Sequence, residues 1–352
     1  VLRAVKKLRA FEAAAAVLAV ALGTAALTAC SRPTELADEL AVNMGNASPI
    51  ESPSATDPDG EVHEYEPVLD LDTTDGLIAV RTADAITVGA LDEILDETAE
   101  SWPLEAECGD VSANAGVFAV GCGTTVRTFT ASGADELPVE HPATSATVTS
   151  SGEILAGSSE ERDVWVYRDG ELVKTIPVAR ETDSIQAVPV DGQPDTVVRT
   201  NSFDTTIQDL DWNGGRQGGT LRVGLGVGKT AGGEQGLVLA ADTTGNQLLV
   251  YTSDDIIRLH QMAPVPESPW DVSWDPANRL VWVASTSQNL VTGYDISRGV
   301  PLQRAQLRTV ANAQSIISLD DGTLVLASAT GDGIQIITPA QKDLRDLPTS
   351  DR

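Results

Sequence analysis

Leu280-Val281-Trp282-Val283-Ala284 is a short apolar run. Residues 270–274 form a β-rich stretch before it, and residues 290–295 and 301–307 form two more after it. Polar turns separate the four. The run recurs along the chain as Leu77-Ile78-Ala79-Val80, Val117-Phe118-Ala119-Val120, Ile154-Leu155-Ala156-Gly157, Val197-Val198-Arg199-Thr200, Leu237-Val238-Leu239-Ala240 and Leu324-Val325-Leu326-Ala327. Successive starts are 40, 37, 43, 40, 43 and 44 residues apart. Several strands per unit at a period near 40–45 mark a β-propeller. Seven units fill residues 66–347, which predicts an all-β, seven-bladed ring of four-stranded antiparallel blades. Asp75-Gly76, Asp169-Gly170, Asp191-Gly192, Asp321-Gly322 and Gly331-Asp332-Gly333 fall between runs, where hairpin turns belong.

The end units are less regular. In the first, residues 67–71, 77–81, 85–89 and 91–95 read as the four strands. Residues 91–97 also fit a local helix, which the repeat outweighs. In the seventh, residues 315–319, 324–328 and 333–337 are followed by a weak, polar candidate at 343–347. Residues 62–65 are the alternative outer strand of that blade, and either choice brings the two ends of the ring together.

The sixth unit also carries a resemblance. Pro269-Trp270-Asp271-Val272-Ser273-Trp274-Asp275-Pro276, then the run at 280–284, then Asn289-Leu290-Val291-Thr292-Gly293-Tyr294-Asp295, resembles a YVTN-type propeller repeat. The match is good over units five to seven and faint over units one to four.

Upstream of the repeats lies a targeting pattern. Arg3, Lys6, Lys7 and Arg9 precede an apolar stretch from Ala13 to Ala29. A basic region followed by a short apolar one is a secretory signal, and the stretch is short for a membrane span of about 20 residues. It ends Leu27-Thr28-Ala29-Cys30, which resembles the bacterial lipobox. That resemblance implies cleavage before Cys30, thioether lipidation of its sulfur and acylation of the new N-terminus. More than one acyl chain gives stable anchoring where one does not. Residues 31–61 hold four prolines, one basic residue and no sustained apolar period, the composition of a tether. The expected organisation is a signal peptide over 1–29, a lipid-anchored flexible linker over 30–61 and the propeller over 62–352. With its lipobox, the chain resembles the actinobacterial LppL lipoprotein type. This implies an extracytoplasmic, membrane-attached protein and brings no catalytic residues with it.

Charge narrows the partners. Among 352 residues, 23 Lys and Arg face 52 Asp and Glu, a formal charge of -29. Loss of the four signal bases and Glu12 would take it to about -32. Such a chain lacks the clustered bases that phosphate binding needs, so nucleic acid is excluded as a partner. Docking of the folded body on anionic lipid is disfavoured for the same reason. Halophile proteins share this acid-rich, lysine-poor balance, so the acidity says little about fold.

Three cysteines are present. Cys30 is assigned to lipid. Cys108 and Cys122 stand equidistant from residue 115, the expected centre of the hairpin between the first two strands of unit two. They therefore face one another across adjacent antiparallel strands, within disulfide reach, in a compartment that permits the bond. Their spacing, without a nearby His pair, is not a zinc pattern.

No enzyme signature competes. His63, His141 and His260 lie in different units, and no Gly-x-Ser-x-Gly elbow occurs. Gly224-Leu225-Gly226-Val227-Gly228-Lys229-Thr230 imitates a phosphate loop, but Val223 stands where its first glycine belongs, so it reads as a blade-to-blade loop. Asp70, Asp72 and Asp75 echo a calcium loop in the wrong register and read as a strand end plus a turn. Neither a cofactor nor a metal is expected.

Propeller topology places the loops between second and third strands on one face, with the blade-to-blade loops, around the channel. Asp84, Asp163, Asp204, Asp242 and Asp332 fall there, with Glu160, Glu161 and Arg162 nearby. A cation or a basic partner surface would suit such a rim; on an acidic protein the same charges also serve simply as a solvated surface. The expected function is a non-catalytic binding or scaffolding module of the cell envelope. Its partner is an envelope protein or small ligand, cationic if it uses this face. The alternatives are an envelope lyase or a quinone- or metal-dependent dehydrogenase sited on the channel face, or a sensor module of a larger complex.

Overall fold

The computed structural model describes residues 45–344. The signal segment, Cys30 and residues 345–347 lie outside them. Within them the chain makes seven antiparallel sheets around one axis, and all seven apolar runs are the second strands of those sheets. Six sheets have four strands. The second has three, because Val117–Thr130 runs on as one strand through a register shift between Gly123 and Thr125. Gly123 takes φ +67 at that point, and the strand bends there without ending.

The sheets pack face to face, and seven apolar clusters fill the seven gaps between neighbours. Aromatics are only 4% of the chain, yet most gaps hold a large buried one. Trp282 lies between blades six and seven, Tyr251 between four and five, Phe118 and Phe129 between one and two, and Trp165 between two and three. Fully burying one such side chain contributes about 1.5–3 kcal/mol. Asp75-Gly76 and Asp169-Gly170 have positive φ at both positions, the twist that two-residue hairpins require.

Four local readings change. In blade one the local helix forms over Leu91–Leu95, and the fourth strand comes later, at Glu100–Pro103. Ile94 is buried and Ala90 N–H donates to Glu93, so amphipathic spacing overrides the repeat here. In blade five, Lys229 and Thr230 belong not to a loop but to the inner strand Val227–Gly232. At the C-terminus, Pro339–Gln341 makes a 3-10 turn, and the outer strand of blade seven is Glu61–His63, paired with Ile334 to Ile336. Gln335 and Ile336 thus find their partner in the N-terminal segment, the second of the two routes that the sequence leaves open.

The fourth concerns residues 45–59, which read as tether by composition. They run as a strap along one face over blades four to seven. Asn46 N–H donates to Ser202 O (2.8 Å), Ile50 N–H to Ser268 Oγ (2.9 Å), Ser52 N–H to Asn312 Oδ1 (2.9 Å), and Asn289 Nδ2 to Pro53 O (2.8 Å). Arg308 then holds Asp57 and Asp59 at 2.9 and 2.8 Å. Polar side chains and backbone amides, not apolar periodicity, tie this segment down, so hydropathy gives no sign of it.

Candidate functional site

The innermost strand of each blade turns an open backbone edge towards the axis. Buried N–H groups there need partners. Side chains of the preceding blade supply several. Asp70 accepts from Val111 N–H (2.8 Å), Asp72 from Ala113 N–H (2.7 Å), Thr147 from Ala187 N–H (3.0 Å) and Asp271 from Ile316 N–H (2.9 Å). The polar residues on inner strands are therefore placed by blade-to-blade bonding, and they leave carboxylates around the axis.

Between these strands is a cavity of about 510 Å³. Its wall carries seven acidic residues, including Asp70, Asp72, Asp110 and Asp271, and one base, Lys229. Lys229 extends from blade five to the carboxylate of Asp70 in blade one and approaches Leu69 O as well. A single ammonium thus sits in a wall where carboxylates outnumber it.

The ionisation of these groups follows. Burial pushes Asp70 up to about 6, although Lys229 and the amide of Val111 pull the other way. Burial, aided by the charge of Asp70, pushes Asp72 up to about 8. Asp271 rises to about 7 through burial against the opposing pull of Lys229. Burial works against the charge of Lys229 too, but Asp70, Asp110 and Asp271 outweigh it and hold the ammonium above its ordinary range. Burial thus favours the neutral form of these carboxyls, and a positive charge entering the cavity would favour the ionised form.

Of the five aspartates expected on the rim, Asp84, Asp204 and Asp332 lie in turns between second and third strands, while Asp242 ends a second strand and Asp163 begins a third. None of the five lines the cavity. Asp242 is buried and accepts from the backbone N–H groups of Leu225, Gly226 and Gly245. The glycine-rich stretch wraps this carboxylate: a Cβ on Gly224 would lie 1.7 Å from Asp242 Oδ2. Asp204 pairs with Arg180, and Asp332 accepts from the hydroxyls of Ser328 and Thr330. Asp84 accepts weakly from Thr82 Oγ1 (3.4 Å), and Asp163 begins a third strand.

Cys108 and Cys122 are bonded, with Cα atoms 4.3 Å apart. Ala115 and Gly116 form the turn, and Gly109 N–H donates to Gly121 O beside the cysteines. The three histidines sit on outer strands of three blades, away from the cavity. His141 stacks on Trp165 with ring centres 4.6 Å apart, and its Nδ1 lies 3.3 Å from Glu161.

Sequence reasoning weighs Asp70 and Asp72 as a calcium loop and Lys229 as part of a phosphate loop and sets both aside, and it gives Asp110 and Asp271 no role in a site. A signal was present: Asp70, Asp72 and Asp271 are acidic residues inside β-rich first strands. A carboxylate in that position needs a buried partner.

Comparison with known proteins supports the architecture. The chain is similar to the RRP9 WD40 repeats, at 14% identity and a TM-score of 0.63, over 84% of this chain and 100% of that one. It is similar to the WD40 propeller domain of Doa1, at 14% and 0.56, over 82% and 96%. A chain of a mitotic checkpoint complex matches at 12% and 0.62, over 85% and 98%. At such identity the likeness is one of fold. No family model and no curated protein matches the sequence.

Proposed function

We propose that the protein is a lipid-anchored module of the cell envelope that binds or scaffolds a partner, and that the channel takes the partner's cationic group. The observation that carries the ligand reading is the excess of wall carboxylates over Lys229 in a cavity of about 510 Å³. Propellers commonly serve as binding platforms, which supports the non-catalytic role. Negative potential focused in a cleft with low-dielectric walls attracts cations and weakens with salt. The lipobox-like Leu27-Thr28-Ala29-Cys30 supports the anchor and the extracytoplasmic location.

Two measurements test the reading. Cys30→Ala should move the protein from the detergent phase to the aqueous phase; retention in the detergent phase refutes the anchor. Calorimetric titration with calcium and with spermidine should give binding that Asp110→Asn weakens and salt suppresses. Absence of heat with both probes, or equal heats for wild type and variant, refutes the cationic channel.

A further inference from the structure

We propose that the strap-bearing face of the propeller is the face turned towards the bilayer, with Phe203 and Ile50 as its lipid contacts. This rests on lipidation of Cys30. Among the described residues the strap bonds to blade-to-blade loops, to turns between second and third strands, to the outer strand of blade six and to Gln335 in the third strand of blade seven. All its loop partners lie on one face. Gly45, the first described residue, donates its N–H to Leu225 O (2.8 Å) between blades four and five, so the described chain begins on that face.

The reach of the chain back to Cys30 is limited. Roughly 14 residues separate Cys30 from Gly45, and they span at most about 50 Å when fully extended. A blade strand of six residues is about 20 Å long. Turning the opposite face to the bilayer would spend most of the reach on passing the rim and descending a blade. Turning the strap face to it spends almost none.

Exposed apolar groups stand beside the first described residues. Phe203 is 69% exposed, the highest value among the exposed large hydrophobic residues. It adjoins Gly45 so closely that a Cβ there would lie 2.2 Å from its carbonyl oxygen. Ile50, on the strap itself, is 49% exposed. An acidic face gains nothing from anionic headgroups, so the contact is apolar and held by the tether. It should therefore respond little to salt.

The test uses the full lipidated chain in phosphatidylcholine vesicles containing nitroxide-labelled lipid. A fluorophore is attached either at Glu51→Cys, on the strap, or at Asp191→Cys, at a turn on the opposite face. Quenching at position 51 should exceed that at 191 by about threefold or more. Phe203→Ser should reduce it while the protein still floats with the vesicles. Equal or reversed quenching in floating protein overturns the orientation and leaves the anchor standing. Unchanged quenching in the serine variant overturns the Phe203 contact. Protein that does not float overturns the anchor and the orientation together.

Discussion

Lys229 and Asp70 join opposite sides of the ring: the ammonium of blade five meets the carboxylate of blade one across the channel. Both side chains are largely withdrawn from water, at 16% and 6% exposure. Most other bonds between blades join neighbours, and Asn114 of blade two reaches Asp195 of blade four (2.7 Å), but the Lys229–Asp70 pair braces positions farther apart around the circle. Removing one member of a buried pair leaves the other uncompensated, at a cost of about 3–5 kcal/mol. Lys229→Met should therefore lower the melting temperature, by about 2–4 °C per kcal/mol lost. Lys229→Met with Asp70→Asn should recover part of the loss. A single variant that melts like wild type in calorimetry would mean that the brace carries no load.

Asp72 and Asp271 predict the pH dependence. Their folded pKa values, about 8 and about 7, lie above the ordinary 3.8. Between these limits the folded state binds more protons than the unfolded one, so their contribution to stability falls as pH rises. It is fully present below about pH 4 and gone above about pH 8. Carboxylates held low by arginine or hydroxyl partners, such as Asp59 and Glu153, act in a separate, more acidic window. Asp271→Asn should raise the melting temperature at pH 8 relative to wild type and change it little at pH 4.5. Parallel curves for the two proteins across that range would refute the assignment.

The disulfide closes a short loop in blade two, with a sequence separation of 14. The chain-entropy relation gives about 3 kcal/mol for such a loop. Cys108→Ser with Cys122→Ser should cost about that much and leave the channel unaffected, since neither cysteine lines it. Non-reducing peptide mapping should recover the linked pair. Two free thiols in protein taken from the envelope would contradict it.

Blade number was legible because second strands are buried on both faces and so read as continuous apolar runs at a fixed period. Their neighbours were less so. Leu91–Leu95 satisfies both helix and strand patterns, and only the burial of Ile94 separates them. The strap was illegible because Ser52, Asn289 and Asn312 hold it through hydrogen bonds between segments more than 200 residues apart. For the channel, the sequence reading looked to the loops, whereas the carboxylates on the cavity wall include Asp70, Asp72 and Asp271 of inner strands. Charges near loop turns, such as Asp242 and Asp332, are taken up by loop amides and hydroxyls around them. The carboxylates that reach the axis lie within inner strands, where an acidic residue resembles a break in the pattern.

Ring closure gives the last prediction. Glu61–His63 supplies the outer strand of blade seven, although it precedes blade one in the chain. Gly60 makes the bend from strap to strand at φ +81, and a Cβ there would lie 2.1 Å from Ile336 O. Gly60→Ala therefore meets both a disfavoured backbone conformation and a clash with main chain that cannot swing aside. The expected loss is about 2–4 kcal/mol, larger than for a typical surface change. Arg308→Ala should cost less, because its pairs with Asp57 and Asp59 are exposed and screened by solvent. Hydrogen exchange should show where the loss falls. In Gly60→Ala the amides of Ile334–Ile337 should exchange faster, while those of Ile154–Gly157, across the ring, keep their protection. Uniform acceleration would mean that the ring opens as one cooperative unit. Unchanged exchange at Ile334–Ile337 would mean that the N-terminal strand does not close the blade.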